Sequence, residues 1–296
     1  MPAKLKNSKG KNPGLDDKKK KVEKVLTKID GISLPDYSYS YNHFEVSSFS
    51  SWVDAAKQIN NPDEMRTMLY MIFQPLFDAL ISPHSLEGSN RKLALDLYNS
   101  IKEMNAKHLG NYYTGLPDID NFKRDISLIQ GGFDKISSVE YHKKERNIDS
   151  FLKPKHVSLF IKNFLTEIID EKITFPDYFI GCACGSSEIV FPLSYMLNMP
   201  FDFIRKSKRR YDAEAIIIPE QEIDIAEKSK GKKVVCFEDA VCSGGSLEGI
   251  MKKVNNNGAS NILGVSMFTN GSYSRDTIKT IQEKCDTYGA LNKYSL

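Results

Sequence analysis

The chain has 296 residues, of which 41% are hydrophobic and 27% are charged, and its formal net charge is +3 at pH 7. These proportions are typical of a soluble globular protein with one large or two small domains. No apolar run approaches about 18 residues and no signal-peptide pattern opens the chain, so we expect a cytoplasmic protein without a membrane segment. The five cysteines lack the spacing of a disulfide framework or a zinc site, which fits a reducing compartment.

The first 28 residues are strongly basic, with ten lysines against three acidic side chains. Because segments of this composition tend to stay disordered, we expect residues 1–42 to form a flexible arm and linker whose basic part could be removed without loss of the fold. The apolar spacing indicates only a short helix near its end, formed around Val22, Val25, Leu26 and Ile29. The arm could contact nucleic acid or protein through its charge, or serve only as a solubilising tail.

Residues 43–120 have the pattern of a small helical module. Asn61 suits a helix N-cap and Pro62 suits the first helical position, so a helix is predicted from this point, with a kink or a stop near Pro75. A second helix is predicted from about Ser89. The sequence does not indicate what the module does.

Strands and helices alternate from about residue 122, where Ile126–Gly132 opens the region. This alternation predicts an α/β domain over residues 121–296, with an open, mostly parallel sheet flanked by helices. The predicted strands are Tyr178–Ala183, Phe201–Ile204, Val234–Phe237 and Ile262–Phe268. Ligands of such sheets bind at the carboxyl ends of the strands, so the residues that follow each strand are the candidate site.

The most informative stretch is residues 234–246. Four apolar residues predict a buried strand, Glu238 and Asp239 follow it, and after two more apolar residues comes a turn of small residues that leads into a helix. The turn consists of Cys242, Ser243, Gly244, Gly245 and Ser246. A strand, a small-residue turn and a helix N-terminus together form a cradle for phosphate, and the two carboxylates could hold sugar hydroxyls or a magnesium ion. These features suit a ribose 5-phosphate, and the alternative is an ordinary turn beside two solvated acids.

This stretch resembles the 13-residue signature with which type I phosphoribosyltransferases bind phosphoribosyl diphosphate (PRPP). The resemblance implies that Glu238 and Asp239 bind the ribose hydroxyls and that the turn at 242–246 binds the 5-phosphate. Cys236, Ala240 and Cys242 depart mildly from the family pattern. Cys242 is expected to pack as a small residue in the turn and not to act as an attacking thiol.

Two further segments are similar to the layout of that family. A loop that follows the first strand would bind the diphosphate, and it consists of Ala183, Cys184, Gly185, Ser186 and Ser187. Arg205 and Lys206, at the end of the second strand, would neutralise the diphosphate leaving group. The following cluster of Lys208, Arg209 and Arg210 would belong to a mobile loop that closes over it, with Arg209 as its catalytic cation. Taken alone, the basic cluster could equally be a solvated or nucleic-acid-binding turn.

The acceptor base stays open. Gly131–Phe133, Ser137-Ser138 and Tyr141–Asn147 loosely resemble the N-terminal hood of orotate phosphoribosyltransferases, but the mobile loop lacks the His-Gly of that branch. Cys242 stands where 6-oxopurine enzymes carry an aspartate general base, which argues against hypoxanthine or guanine. The Gly244-Gly245 pair is also compatible with adenine-type enzymes.

The resemblance implies an Mg²⁺-dependent phosphoribosyltransferase that transfers ribose 5-phosphate from PRPP to a nucleobase or base-like acceptor and forms a homodimer. Magnesium would be held mainly by PRPP and water, so no dedicated set of metal ligands is expected. Two alternatives remain. The chain could be a regulatory protein that senses PRPP or a nucleotide, or an unrelated doubly wound domain with a fortuitous phosphate loop.

Overall fold

The computed structural model describes residues 13–36, 46–82, 86, 88–136, 153–206, 212–241, 244–269, 279–281 and 292–295. The helices are α1 Pro13–Asp30, α2 Phe49–Gln58, α3 Pro62–Ile81, α4 Gly88–Tyr113, α5 Ile119–Lys135, α6 Pro154–Ile169, α7 Ser187–Leu197, α8 Glu222–Ser229 and α9 Gly245–Asn256, with a 3₁₀ turn at Pro219–Gln221 before α8. The strands are β1 Tyr178–Cys182, β2 Phe201–Ile204, β3 Lys233–Val241, β4 Asn261–Thr269, β5 Lys279–Ile281 and β6 Asn292–Ser295.

The sheet has the strand order β2-β1-β3-β4-β6-β5. Strands β2, β1, β3 and β4 are parallel, whereas β6 runs antiparallel to β4 and β5 runs antiparallel to β6. Gly181 is in register with both Phe203 and Phe237, so the carboxyl ends of β2, β1 and β3 lie side by side. The predicted α/β fold with an open, mostly parallel sheet is confirmed.

Alternating side chains of the strands point into two different hydrophobic clusters. Phe179, Phe203 and Phe237 face the helices of the N-terminal half together with α6 and α7. Ile180 and Cys236 face α8 and α9 on the opposite side of the sheet. This arrangement follows from the two-residue period of a strand, because a strand covered on both faces buries every side chain.

The N-terminal helices cover one face of this sheet. Helix α3 begins as the sequence predicts, with the side chain of Asn61 accepting a hydrogen bond from Glu64 N at 2.9 Å and Pro62 in the first turn. Pro75 does not end the helix, which continues to Ile81. The Phe73 ring lies 4.6 Å from that of Phe203 on β2, measured between ring centroids, so α3 packs directly against the sheet.

Helix α5 belongs with these N-terminal helices. It contains the segment Ile126–Gly132, it packs against α2 and α4, and its buried Phe133 stacks on Phe49 with 5.4 Å between ring centroids. The expected domain boundary at residues 120/121 therefore falls in the first turn of this helix. Gly131–Phe133 are helical and do not form part of an orotate-type hood, and Ser137–Asn147 lie outside the described residues.

The basic segment requires a correction. Residues 13–30 form an 18-residue helix, and Val22 and Ile29 on its inner face are fully buried where α1 packs against α6. The prediction of a flexible arm is therefore wrong for these residues. Lysine content indicated disorder, but the apolar residues spaced along one face bury enough surface to order the whole helix. Residues 1–12 lie outside the described part of the chain.

Candidate functional site

The candidate site lies at the carboxyl edge of β1, β2 and β3. The backbone N–H of Ala183 donates to the carbonyl of Ile204 at 2.9 Å, which joins the loop after β1 to the end of β2. Arg205 and Lys206 directly follow β2, and Glu238 and Asp239 follow Phe237, the residue of β3 that is in register with Gly181 of β1. The structure brings together the predicted loop at 183–187, Arg205 and Lys206, and the Glu238-Asp239 pair.

The loop at 183–187 is a compact turn that leads into α7. The Ser186 hydroxyl donates to the carbonyl of Cys182 at 3.1 Å, and the Ser187 hydroxyl donates to that of Cys184 at 2.8 Å. The peptide bond between Ala183 and Cys184 is cis. No side chain caps α7 at Ser186. The N–H groups of Ser186 and Ser187 donate to the carbonyls of Cys182 and Cys184, each at 3.2 Å. The turn leads into the N-terminus of α7, and helix N-termini favour anions.

Gly185 and Asp239 bring this loop into contact with β3. A Cβ atom at residue 185 would lie 2.5 Å from Asp239 Cγ and 2.6 Å from Asp239 Oδ2. The other carboxylate oxygen of Asp239 accepts a hydrogen bond from the N–H of Ala240 at 2.8 Å. Only glycine allows the loop backbone to approach the Asp239 carboxylate so closely. The predicted diphosphate loop and one of the predicted ribose ligands are thus direct neighbours.

Glu238 lies on the opposite face of β3 from Asp239, because consecutive strand residues alternate. It is 8% exposed, and the thiol of Cys182 lies against its carboxylate. Burial, reinforced by the charge of Glu238, raises the pKa of the Cys182 thiol well above its ordinary value. This environment favours the neutral thiol of Cys182 and does not activate it as a nucleophile.

The turn after β3 is described from Gly244 onward. Gly244 has a φ of +75° and is the N-cap of α9, which starts at Gly245. The N–H of Glu248 donates to the carbonyl of Gly244 at 2.8 Å, so the N–H groups of the preceding residues, Ser246 among them, lie in the open first turn. This is the arrangement expected of a phosphate cradle. Cys242 and Ser243 lie outside the described residues.

Arg205 is held by two carboxylates. Its Nε and Nη2 donate to the two carboxylate oxygens of Asp212 at 3.1 and 3.2 Å, and its Nη1 donates to Asp78 Oδ1 at 3.0 Å. Asp212 lies four residues before Ile216, which exchanges two backbone hydrogen bonds with Arg205. Asp78 comes from α3. The sequence analysis did not identify either aspartate as part of the site.

Lys206 points toward the other face of the sheet. Its Nζ donates to the carbonyl of Asp212 at 2.6 Å and to that of Ala213, and its aliphatic chain lies against Gly249 of α9. The lysine thus spans from the end of β2 to α9, the helix that follows the predicted phosphate-binding turn. The remaining predicted cations, Lys208, Arg209 and Arg210, lie outside the described residues.

A buried ion pair lies next to the loop at 183–187, which is the predicted diphosphate loop. Arg66 on α3 bonds to Glu188 in the first turn of α7, and both side chains are 1% exposed. Tyr113 of α4 donates to the same carboxylate at 2.6 Å. Burial opposes the charged form, yet the Glu188 carboxylate raises the pKa of Arg66 above its ordinary value. Helices α3 and α4 thereby hold the start of α7 in place.

In the part of the chain that the structure describes, no group of three or more histidine, cysteine, aspartate or glutamate side chains could hold a metal ion. None of the described helices is long and apolar enough to cross a membrane.

Comparison with known proteins identifies the family. No curated protein matches the chain significantly. Residues 149–294 match the model of the phosphoribosyl transferase domain, and the match spans the parallel strands β1–β4 and both loops of the candidate site. Residues 149–294 of the chain therefore form a domain of the type I phosphoribosyltransferase family.

Proposed function

We propose that the protein is an Mg²⁺-dependent phosphoribosyltransferase that transfers the ribose 5-phosphate of PRPP to a nucleobase or base-like acceptor and releases diphosphate. The observation that carries this proposal is the contact between Gly185 and Asp239. It brings the loop backbone that precedes the N-terminus of α7 next to the Asp239 carboxylate on β3. A sugar that binds Asp239 through its hydroxyls would have its anomeric diphosphate beside that loop.

Each end of PRPP has a matching element. The first turn of α9, with Gly244 in the left-handed conformation, suits the 5-phosphate. Asp239, and Glu238 on the other face of the strand, would accept hydrogen bonds from the ribose hydroxyls. Diphosphate would bind along the loop at 183–187, with Arg205, Lys206 and Arg209 as the candidate cations.

The reaction needs no nucleophile from the protein. As the anomeric C–O bond breaks, positive charge builds on the sugar and negative charge builds on the leaving diphosphate. Donors aimed at that developing charge contribute roughly 2.7–4 kcal/mol each in well-studied cases. The loop N–H groups and the lysine at 206 would act in this way, while a nitrogen of the acceptor attacks the sugar carbon.

Magnesium suits this donor set as a component of the substrate complex. Mg²⁺ binds to one or two carboxylates together with substrate oxygens, and Asp239 and Glu238 are the carboxylates at this edge. When bound, the ion supplies positive charge to the diphosphate. The absence of a three-ligand cluster among the described residues is compatible with such a site.

A regulatory role is the second candidate. The described cations of the site are occupied by the protein itself, since Arg205 bonds to two aspartates and Lys206 bonds to two backbone carbonyls. A protein that senses PRPP without turnover could keep such an arrangement. This candidate also predicts PRPP binding, so only turnover separates the two.

The test is incubation with PRPP, Mg²⁺ and a panel of purine and pyrimidine bases, with diphosphate release and nucleotide mass as the readouts. A nucleotide product is expected. PRPP binding without product across the panel would favour the sensor. Absence of PRPP binding would overturn both candidates.

Asp239→Asn tests the ribose assignment in the same assay. The amide can still accept the hydrogen bond from Ala240 but loses the charge, so PRPP binding should weaken by roughly 1.5–3 kcal/mol, with the melting temperature within a few degrees of wild type. Asp134→Asn, an exposed change on α5, is the matched control. Unchanged affinity in Asp239→Asn would remove the assignment.

Three further expectations accompany this proposal. We expect a homodimer, as in the family that the chain resembles, and a cytoplasmic location. The lysines on the outer face of α1 are the part of the basic segment that could contact nucleic acid or an acidic protein.

A further inference from the structure

The Arg205 guanidinium is enclosed by carboxylates from two separate parts of the chain. The Arg205 side chain is 15% exposed, and those of Asp78 and Asp212 are 6% and 5% exposed. Asp212 binds the Nε and Nη2 edge and Asp78 binds Nη1, so all three nitrogens donate to a carboxylate. Carboxylates from two parts of the chain therefore compete with any other anion for the N–H groups of this guanidinium.

Such a cluster does not favour diphosphate. An arginine binds phosphate best when its planar set of N–H groups is available to the anion. Here the bidentate edge is used by Asp212, and a further carboxylate stands beside the remaining nitrogen. An incoming diphosphate would have to displace one of these carboxylates before Arg205 could bind it.

Asp78 lies on a helix and not in the segment that carries Asp212. It lies on α3, outside residues 149–294 that match the family model. Phe73, one turn earlier on the same helix, packs against Phe203 of β2 and Phe191 of α7. Gln74 Nε2 lies 3.4 Å from the second oxygen of Asp78. The N-terminal helices thus present a fixed negative charge to a residue of the phosphoribosyltransferase domain.

We propose that Asp78 is a positioning residue that competes with diphosphate for Arg205, so that the N-terminal helical segment lowers the affinity of the site for PRPP. The inference rests on the proposed function, because it takes Arg205 as a ligand of the diphosphate. It assigns a role to the N-terminal helices that the sequence left open. Release of Asp78 from Arg205 would turn a low-affinity site into a high-affinity one.

The experiment is calorimetric titration of the full-length wild type and Asp78→Asn with Mg²⁺–PRPP and, separately, with Mg²⁺ and inorganic diphosphate. Asparagine keeps the shape and one acceptor but removes the charge. Both ligands should bind about tenfold more tightly to Asp78→Asn, a change of about 1.4 kcal/mol. A residue with only a structural role would not increase affinity. Asp96→Asn, an exposed change on α4 with the same effect on net charge, should bind as wild type does.

A second substitution ties the effect to Arg205. In an Arg205→Gln background, Asp78→Asn should leave the affinity for both ligands unchanged, because the guanidinium for which Asp78 and diphosphate compete is absent. Asp78→Glu keeps the charge and should not tighten binding. If Asp78→Asn is too unstable to titrate, Asp212→Asn relieves the same guanidinium from the loop side and should also tighten binding.

The outcomes separate this inference from the proposed function. If wild type binds PRPP and the well-folded Asp78→Asn binds it no more tightly, the competition is wrong and the proposed function stands. An equal gain in the Arg205→Gln background would also overturn it, since the effect would not act through Arg205. If neither wild type nor Asp78→Asn binds either ligand, both proposals fail.

Discussion

Gly185 and Asp239, at the carboxyl edge of the sheet, show how closely the candidate site is packed. The space that a side chain at residue 185 would need is filled by the carboxylate of Asp239. That carboxylate is itself fixed by the N–H of Ala240. A change of one methyl group at residue 185 is therefore a direct test of the site geometry.

Gly185→Ala should weaken PRPP binding by about tenfold, or about 1.4 kcal/mol. The new methyl group would force Asp239 to rotate away from its present position or push the loop outward, since a Cβ within 2.6 Å of Asp239 Oδ2 cannot be accommodated. The dissociation constant measured by calorimetry is the readout. Gly131→Ala, where a Cβ would meet no atom within 4 Å, is the control and should bind as wild type does. Normal binding by Gly185→Ala would show that the loop and Asp239 do not act together.

The Arg66–Glu188 pair predicts a different kind of change at the residue scale. Glu188→Gln leaves the Arg66 charge buried without its counterion, and such a loss costs about 3–5 kcal/mol. The free energy of unfolding in urea measures it. In the double variant Arg66→Met/Glu188→Gln the loss should be smaller than in Glu188→Gln, because no buried charge remains. Additive losses would mean that the pair contributes nothing through its charges.

At the scale of elements, α1 is the helix whose structure differs most from what its composition predicts. It carries most of the lysines of the basic segment, yet Val22, Val25 and Ile29 face the molecule and are at most 8% exposed. Lys21 Nζ also donates to the carbonyl of Leu197 at the end of α7, at 2.7 Å. The helix therefore belongs to the folded core, and Lys20, Lys24 and Lys28 remain exposed on its outer face.

Ile29→Ala should lower the free energy of unfolding by about 2–4 kcal/mol, because it leaves a cavity under α1. Lys24→Ala, on the exposed face of the same helix, should change it by less than about 0.5 kcal/mol. Urea unfolding measures both. Equal, small effects would show that α1 does not pack in solution as it does here.

At the scale of the whole molecule, buried charges join the N-terminal helices to the sheet. Asp202 on β2 binds Lys102 of α4, Lys228 of α8 at 3.3 Å and the hydroxyl of Tyr178 on β1 at 2.7 Å. Burial opposes ionisation of Asp202, but the two lysines and the tyrosine together hold its pKa below the ordinary value of 3.8. Three layers of the fold thus meet at one carboxylate.

This network predicts a dependence of stability on acid pH. Because the folded-state pKa of Asp202 is lower than its unfolded value of 3.8, its ionisation stabilises the fold fully above that value. The stabilisation should disappear as the pH falls below 3.8 and through the lower folded-state pKa. Asp202→Asn should reduce stability at pH 7 and flatten this acid limb, as measured by urea unfolding between pH 2 and pH 7. Asp96→Asn should leave the limb unchanged, and an equally steep limb in Asp202→Asn would exclude Asp202 as its source.

Local patterns were sufficient for the parallel sheet and for much of the site. The apolar run at 234–237 and the carboxylates after it are contiguous in the chain, so their placement at the end of β3 follows from strand geometry alone. The N-cap at Asn61 was predicted for the same reason. Features that depend on only a few neighbouring residues are those that sequence patterns can express.

Other features depended on the tertiary structure. The basic composition of α1 led to a prediction of disorder. The helix is ordered because three of its apolar side chains, Val22, Val25 and Ile29, are buried where it packs against α6. The Gly131–Phe133 segment is part of α5, and Phe133 stacks on Phe49, so the segment packs among the N-terminal helices. In both cases a distant element outweighed the local preference.

The amino-acid sequence by itself determined the family, the order of strands and helices around the signature, and the chemistry available at 183–187 and 238–246. Only the tertiary structure decided that Asp78 meets Arg205, a pair separated by 127 residues, and that Arg66 meets Glu188 across 122 residues. The physical reason is that ion pairs are set by which surfaces pack together. Packing of α3 and α4 on the sheet is a property of the whole core, and no local pattern encodes it.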